Sequence, residues 1–192
     1  AYDSFAELAA HEREGVDYRV EVIDVASPTT VLAVHGGGIE VGTTELARAI
    51  AEQRGWNLYS FLGLLPTRRE NGRLHLTSHL FDEPRAVELA ERSQDCVSVH
   101  GFFQVPERAI ACVGGGNPAL RDAVAARLRA PGLGLSVESP CRRYEGRDPM
   151  NIVNRCRAQG VQIEFNLPAR ERMLRDAQLL GEVAHAISAA LR

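Results

Sequence analysis

The sequence predicts an α/β protein with a mixed, largely parallel central sheet flanked by helices, and three observations lead there. Strand-like and helix-like stretches alternate along most of the chain, the pattern of a sheet crossed by helices. The stretch "TVLAVH" is an unbroken apolar run, as a strand buried on both faces requires. Several segments also carry helix caps and stops at the right distance from such runs.

In chain order, "SFAELAAHERE" (Ser4 to Glu14) reads as an opening helix capped by Ser4. "DYRVEVID" alternates apolar and polar residues and predicts a half-exposed strand. "TVLAVH" follows as the central strand. "TTELARAIAEQRG" is a helix with Thr43 or Thr44 as its cap and Gly55 as its stop. "WNLYSFLG" and "LHLTS" read as strands, and "DEPRAVELAERSQ" as a helix with Asp82 as cap and Pro84 in its first turn. "CVSVHGF" and "AIACVGG" are short buried strands. "NPALRDAVAARLRA" is a helix capped by Asn117, "LGLSVE" and "GVQIEFN" are strands, and Pro168 to Arg192 supplies a long closing helix.

No repeat, low-complexity tract or persuasive linker divides the 192 residues, so one domain spanning residues 1–192 is expected. Hydrophobic residues make up 45% and charged ones 24%, which places the chain among ordinary globular proteins. The formal net charge of -3 argues against a general nucleic-acid binder, which needs a basic excess. Local arginine groups remain, Arg68 with Arg69 and Arg142, Arg143 and Arg147, either for an anionic ligand or as solvated surface. No long apolar run points to a membrane partner, and a monomer with no membrane or nucleic-acid partner is the expectation. Cytoplasmic synthesis is expected, or secretion if Ala1 marks a removed leader. Of the cysteines Cys96, Cys112, Cys141 and Cys156, none forms a C-x-x-C pair, and Cys96 and Cys112 read as buried free thiols.

The chemistry gathers around "VLAVHGGGIEVGTTELARAI" (Val31 to Ile50). A phosphate-binding loop would need a lysine after the glycines or a third glycine where Val41 stands. An esterase oxyanion hole would need a G-x-S-x-G elbow, whereas "GLSVE" has Glu138 in the last glycine's place. Metal binding fits the residue types better. Imidazole and carboxylate both ligate zinc, and a catalytic site needs only three protein ligands. Glycines allow a turn to fold His35 and Glu40 toward one ion. His100 closes a buried strand before a glycine, as His35 does, and is the best third candidate. The competing reading for either histidine is a strand-end side chain hydrogen-bonded to backbone. Ligands in such sheets collect at the carboxyl ends of strands, where His35, His100 and Glu164 all fall.

"HGGGIEVGTTELA", "LTSHLFDEP", "VSVHGF", "VGGGN" and "NIVNRC...GVQIEF" resemble, in this order, the phage-type poly-γ-glutamate hydrolases, a group that includes proteins labelled phage-related replication protein. The resemblance covers nearly the whole chain. It implies a zinc carboxypeptidase-like fold and cleavage of γ-glutamyl amide bonds in the capsule polymer poly-γ-glutamate, with zinc on His35, Glu40 and His100. It also implies Glu164 as general base, taking a proton from a zinc-activated water and passing it to the leaving amine. Strand alternation sets Glu164 on one face with Gln162, opposite Val161, Ile163 and Phe165; a solvated sheet face is the competing reading. Glu45 is expected to orient a ligand histidine. Asn154 and Arg155 are expected to grip a substrate carboxylate, as a similar pair does in zinc carboxypeptidases. The Ser78 to Phe81 context leaves the role of His79 open. The rival functions are a nucleic-acid-associated phage accessory protein and a non-catalytic binder of glutamyl peptides.

Overall fold

Seven strands form one mixed sheet in the computed structural model, which describes residues 2–103 and 108–191. Ser4 caps helix α1 (Phe5–His11) by accepting from the Glu7 N–H. Strand β1 (Tyr18–Ile23) is a half-exposed edge, and the buried strand β2 (Thr29–Gly37) follows. Helix α2 (Thr43–Arg54), strand β3 (Asn57–Gly63), the single turn α3 (Arg68–Asn71) and helix α4 (Pro84–Arg92) come next. Strands β4 (Asp95–Phe102) and β5 (Ile110–Gly114), helix α5 (Pro118–Leu128), the short strand β6 (Ser136–Glu138) and strand β7 (Gly160–Asn166) lead to helices α6 (Leu167–Arg175) and α7 (Ala177–Ser188).

The strand order is β1-β3-β2-β4-β7-β5-β6. β3, β2, β4 and β7 run parallel, while β1 and β5 are antiparallel to their neighbours β3 and β7. Each face carries its own apolar layer. Val31, Ala33, Val97, Val99, Ile163 and Phe165 pack against α2, α5, α6 and α7. Leu32, Val34, Tyr59 and Phe61 pack instead with Leu74, Leu76, Phe81 and Leu89. Among the described residues no helix is long and apolar enough to cross a membrane.

Five local expectations need correction. "LHLTS" is not a strand: Leu74 ends a 3-10 turn and Leu76 is buried in the second layer, so the leucines anchor an irregular segment. Neither Thr43 nor Thr44 caps α2. Gly42 holds that position at φ 96°, and both threonines lie inside the first turn. Helix α4 is capped by Glu83, which accepts from the Ala86 N–H, while Asp82 accepts from the Phe5 N–H. The closing helix is two helices, broken where the Asp176 side chain accepts from the Leu179 N–H and starts α7 afresh; Arg192 lies outside the described residues.

The fifth correction is the cysteines. Cys96 is joined to Cys156 and Cys112 to Cys141, with Cα separations of 6.0 and 5.0 Å, inside the range a disulfide spans. Cys96 opens β4 against the turn that follows Arg155, and Cys112 lies in mid-β5 under the segment from Pro140. These contacts join residues 60 and 29 positions apart, which spacing alone does not pair.

Candidate metal centre

Strict alternation along β2 would send His35 to the same face as Val31 and Ala33. The register with β3 shifts between Ala33 and Gly36, however, and irregularities of this kind re-aim a side chain. His35 thereby reaches the opposite face, where its ring stacks on His75 and meets His100 edge-on. The turn beyond is closed by the Glu40 N–H donating to the His35 carbonyl at 2.9 Å. The Thr43 hydroxyl donates to the carbonyl of Glu40 at 2.9 Å and reinforces it. Of the three glycines only Gly37 has a positive φ, 60°. Gly36 and Gly38 leave room for neighbours, since a Cβ there would overlap Thr44 and Asn71 respectively.

His35 Nδ1, a Glu40 carboxylate oxygen and His100 Nδ1 converge. The distances are 3.1 Å from His35 Nδ1 to both Glu40 Oε1 and His100 Nδ1, and 3.7 Å from His100 Nδ1 to Glu40 Oε2. The far side of His35 decides what this cluster is. Its Nε2 lies 2.8 Å from the Leu76 carbonyl, which only accepts, so Nε2 carries the hydrogen and Nδ1 of the neutral ring is a lone pair. That lone pair faces a carboxylate oxygen and a second imidazole nitrogen. Together the three atoms form a donor set that fits a metal ion. His100 has its own outer partner, with Nε2 3.4 Å from the Ser78 hydroxyl.

Burial pushes Glu40 toward the neutral acid, but His35, His100 and His75 outweigh it and hold the carboxyl well below the ordinary range. Burial, helped by His75 and His100, pushes His35 down against the pull of Glu40. Burial also lowers His100, yet Glu40 and Glu164 together leave it raised. Glu40 Oε2 further accepts from the Gly101 N–H at 2.7 Å.

Glu164 is the register partner of His100 across β4 and β7. It shares a face with Gln162, while Val161, Ile163 and Phe165 enter the core opposite, as strand alternation requires. That face is not solvated surface: Glu164 is 6% exposed and lines a cavity of about 440 Å³. The Asn151 amide donates to Gln162 Oε1 at 2.8 Å, and the Gln162 amide donates to Glu164 Oε1 at 3.0 Å, so a relay of amides aims the carboxyl. Burial first, then the Glu40 charge, lifts its pKa to about 7, against the lowering by His100 and His75.

A stability consequence follows for the metal-free protein. Glu164 rises from an ordinary 4.5 to about 7 on folding, so it costs nothing below pH 4.5 and destabilises progressively as pH rises to 7. Replacing Glu164 with Gln is therefore expected to stabilise the metal-free protein by about 3 kcal/mol at pH 8 and not at pH 4. Urea unfolding of both proteins at the two pH values checks this; equal stability at pH 8 would contradict it.

Three expected site residues stand elsewhere. Glu45 is exposed in the first turn of α2, and Thr43 rather than Glu45 reaches the His35–Glu40 turn. Asn154 is buried, and its amide is spent on backbone: it donates to the Gly146 and Asp148 carbonyls and accepts from the Gly116 N–H. Arg155 faces Glu91 on α4, 3.6 Å away. The pair therefore does not line the cavity, which presents Arg147, His75 and His79 instead. His75 was not anticipated; its Nε2 lies 3.4 Å from Glu40 Oε1. Its alternation with buried Leu74 and Leu76 was a usable signal. Arg170 was also missed. Buried in α6, it donates to the carbonyls of Val41, Phe165 and Phe102 and so ties the Glu40 turn to the ends of β4 and β7.

Two imidazoles and one carboxylate beside a buried carboxyl are a donor set found in catalytic zinc sites, the class of the metallohydrolases among them. Similarity to known proteins narrows the class. Residues 2–188 match the family model described as poly-gamma-glutamate hydrolase, and the chain belongs to that family. It is 33% identical over 174 residues to YndL of Bacillus subtilis (strain 168), covering 90% of this chain and 66% of that protein. A prophage-derived relative from the same strain, YoqZ, is 32% identical, covering 94% of this chain and 64% of the relative. The chain thus spans about two thirds of the length of these relatives. The solved structure of a bacteriophage poly-gamma-glutamate hydrolase superposes with a TM-score of 0.89 at 37% identity, over 98% of this chain and 95% of that one. A zinc-free apo structure of YndL gives 0.87 at 30% identity, over 99% and 96%.

Proposed function

We propose that the protein hydrolyses γ-glutamyl amide bonds of poly-γ-glutamate, with zinc held by His35 Nδ1, the Glu40 carboxylate and His100 Nδ1. The observation that carries this reading is the convergence of three lone-pair donors beside a buried carboxyl, in a chain belonging to this family. A relative whose structure is described as zinc-free supports zinc as the ion. Zinc so held supplies Lewis acidity, which brings the pKa of water down to about 7.

Every other part belongs to the chain. The Leu76 carbonyl and the Ser78 hydroxyl fix the two imidazoles from behind. Glu164, aimed by the Asn151–Gln162 relay, takes the proton of the attacking water and returns it to the leaving amine. Arg147 stands in the cavity wall, where the polymer's carboxylates pass. The two disulfides suit an oxidising compartment, which is where an enzyme acting on a capsule polymer works.

The test is to incubate the zinc-loaded protein with poly-γ-glutamate and with α-linked polyglutamate and to follow polymer size by gel filtration. Shortening of the γ-linked polymer alone is expected. A γ-linked polymer of unchanged size would refute the proposal.

A further inference from the structure

A second, smaller cavity of about 100 Å³ adjoins the first, lined among others by Arg121, Arg142, Arg147, Glu145 and Gly115. Arg147 and Glu145 belong to the walls of both cavities. Three arginines and one glutamate therefore line this space, and the Glu145 carboxylate is engaged by Arg147 at 2.6 Å. The Arg121 side chain is only 16% exposed and uses Nε on Asp122, itself 65% exposed, which leaves the terminal nitrogens of Arg121 uncommitted among the described residues. Arg142 has no acidic partner for its guanidinium among the described residues. Like charges gathered around a small space repel one another unless an anion lies between them. The planar fork of arginine matches a carboxylate through two parallel hydrogen bonds.

The walls are firmly held. Cys141 is tied to β5 through the bond to Cys112 and donates its N–H to the Val113 carbonyl at 2.8 Å. The Gly115 N–H donates to the Glu145 carbonyl at 2.8 Å, and the Asn154 amide holds the Gly146 carbonyl at 2.8 Å. The buried Asn154, which does not face the catalytic cavity, thus braces the segment that separates the two.

We propose that this arginine cavity is a second carboxylate subsite. It takes the free α-carboxylate of a glutamyl residue farther along the polymer than the bond being cut. The inference rests on the proposed activity for its ligand, and it makes a chain of several γ-linked residues a better ligand than a γ-glutamyl dipeptide.

The experiment uses metal-free protein, which cannot cut the probe, and fluorescently labelled poly-γ-glutamate followed by anisotropy at several salt concentrations. Arg142→Ala and Arg121→Ala are each expected to raise Kd about tenfold, as loss of a charge-assisted contact implies. The dependence of Kd on salt should flatten in both variants, since a screened ion pair has been removed. Should Arg121→Ala fail to fold, Arg142→Ala, whose side chain is exposed, carries the test. Unchanged Kd and salt dependence in a folded variant would overturn the subsite. Polymer binding without cleavage by the zinc-loaded wild type would remove the hydrolase reading and leave the subsite standing. No binding by the metal-free wild type would overturn the subsite, while polymer shortening by the zinc-loaded protein would leave the hydrolase reading standing.

Discussion

Replacing His100 with alanine is expected to empty the metal centre and abolish hydrolysis together. His100 Nδ1 stands 3.1 Å from His35 Nδ1 and 3.7 Å from Glu40, so its loss leaves two donors where three converge. Removing an outer partner of a metal ligand costs about 10- to 100-fold in affinity, and a direct ligand should cost more than that. Ser78→Ala, which removes only the group behind His100, provides the internal scale: it should fall within the 10- to 100-fold range and keep partial activity. Elemental analysis of protein passed through gel filtration, alongside the polymer-shortening rate, reads both effects. Wild-type zinc content in His100→Ala would contradict the proposed ligand set.

Glu164→Gln should do the reverse, keeping the metal and losing the reaction. The carboxyl is not among the converging donors, and the amide that replaces it still accepts from Gln162, so the centre should load normally. An amide cannot shuttle a proton, and loss of a general base costs about 10²- to 10⁴-fold in rate. The outcome to measure is zinc content near one per chain with a rate lower by that factor. A variant with full activity would remove Glu164 from the proton path, whatever its pKa.

How much of this was legible before folding depends on the range of the interaction. The strands bearing His35, His100 and Glu164 stood out because continuous apolar runs reveal buried strands, and strand ends gather ligands in such sheets. The facing of Glu164 followed from period-two alternation alone. Asn154 and Arg155 show where such reasoning stops. Their side chains have the right chemistry, but Asn154 is consumed by two carbonyls of the segment after Cys141 and by the Gly116 N–H, and Arg155 turns to Glu91. Arg170 lies 129 positions from the Val41 carbonyl it holds, and nothing in its helical surroundings announces that partner. "LHLTS" has the alternation of a strand without a neighbouring edge to pair with. Its alternation nonetheless has a use, since Leu74 and Leu76 root the segment while His75 and Thr77 face the cavity.

The register shift between Ala33 and Gly36 has a meaning for heredity. Most positions in a strand can change identity while the pleat keeps its order, because facing depends on counting and not on the letters counted. In β2 the count itself is what turns His35 toward His100. A codon gained or lost within this short stretch would send the imidazole to the helical side of the sheet, while every remaining letter of the motif still read correctly. The stretch therefore stores its information as length.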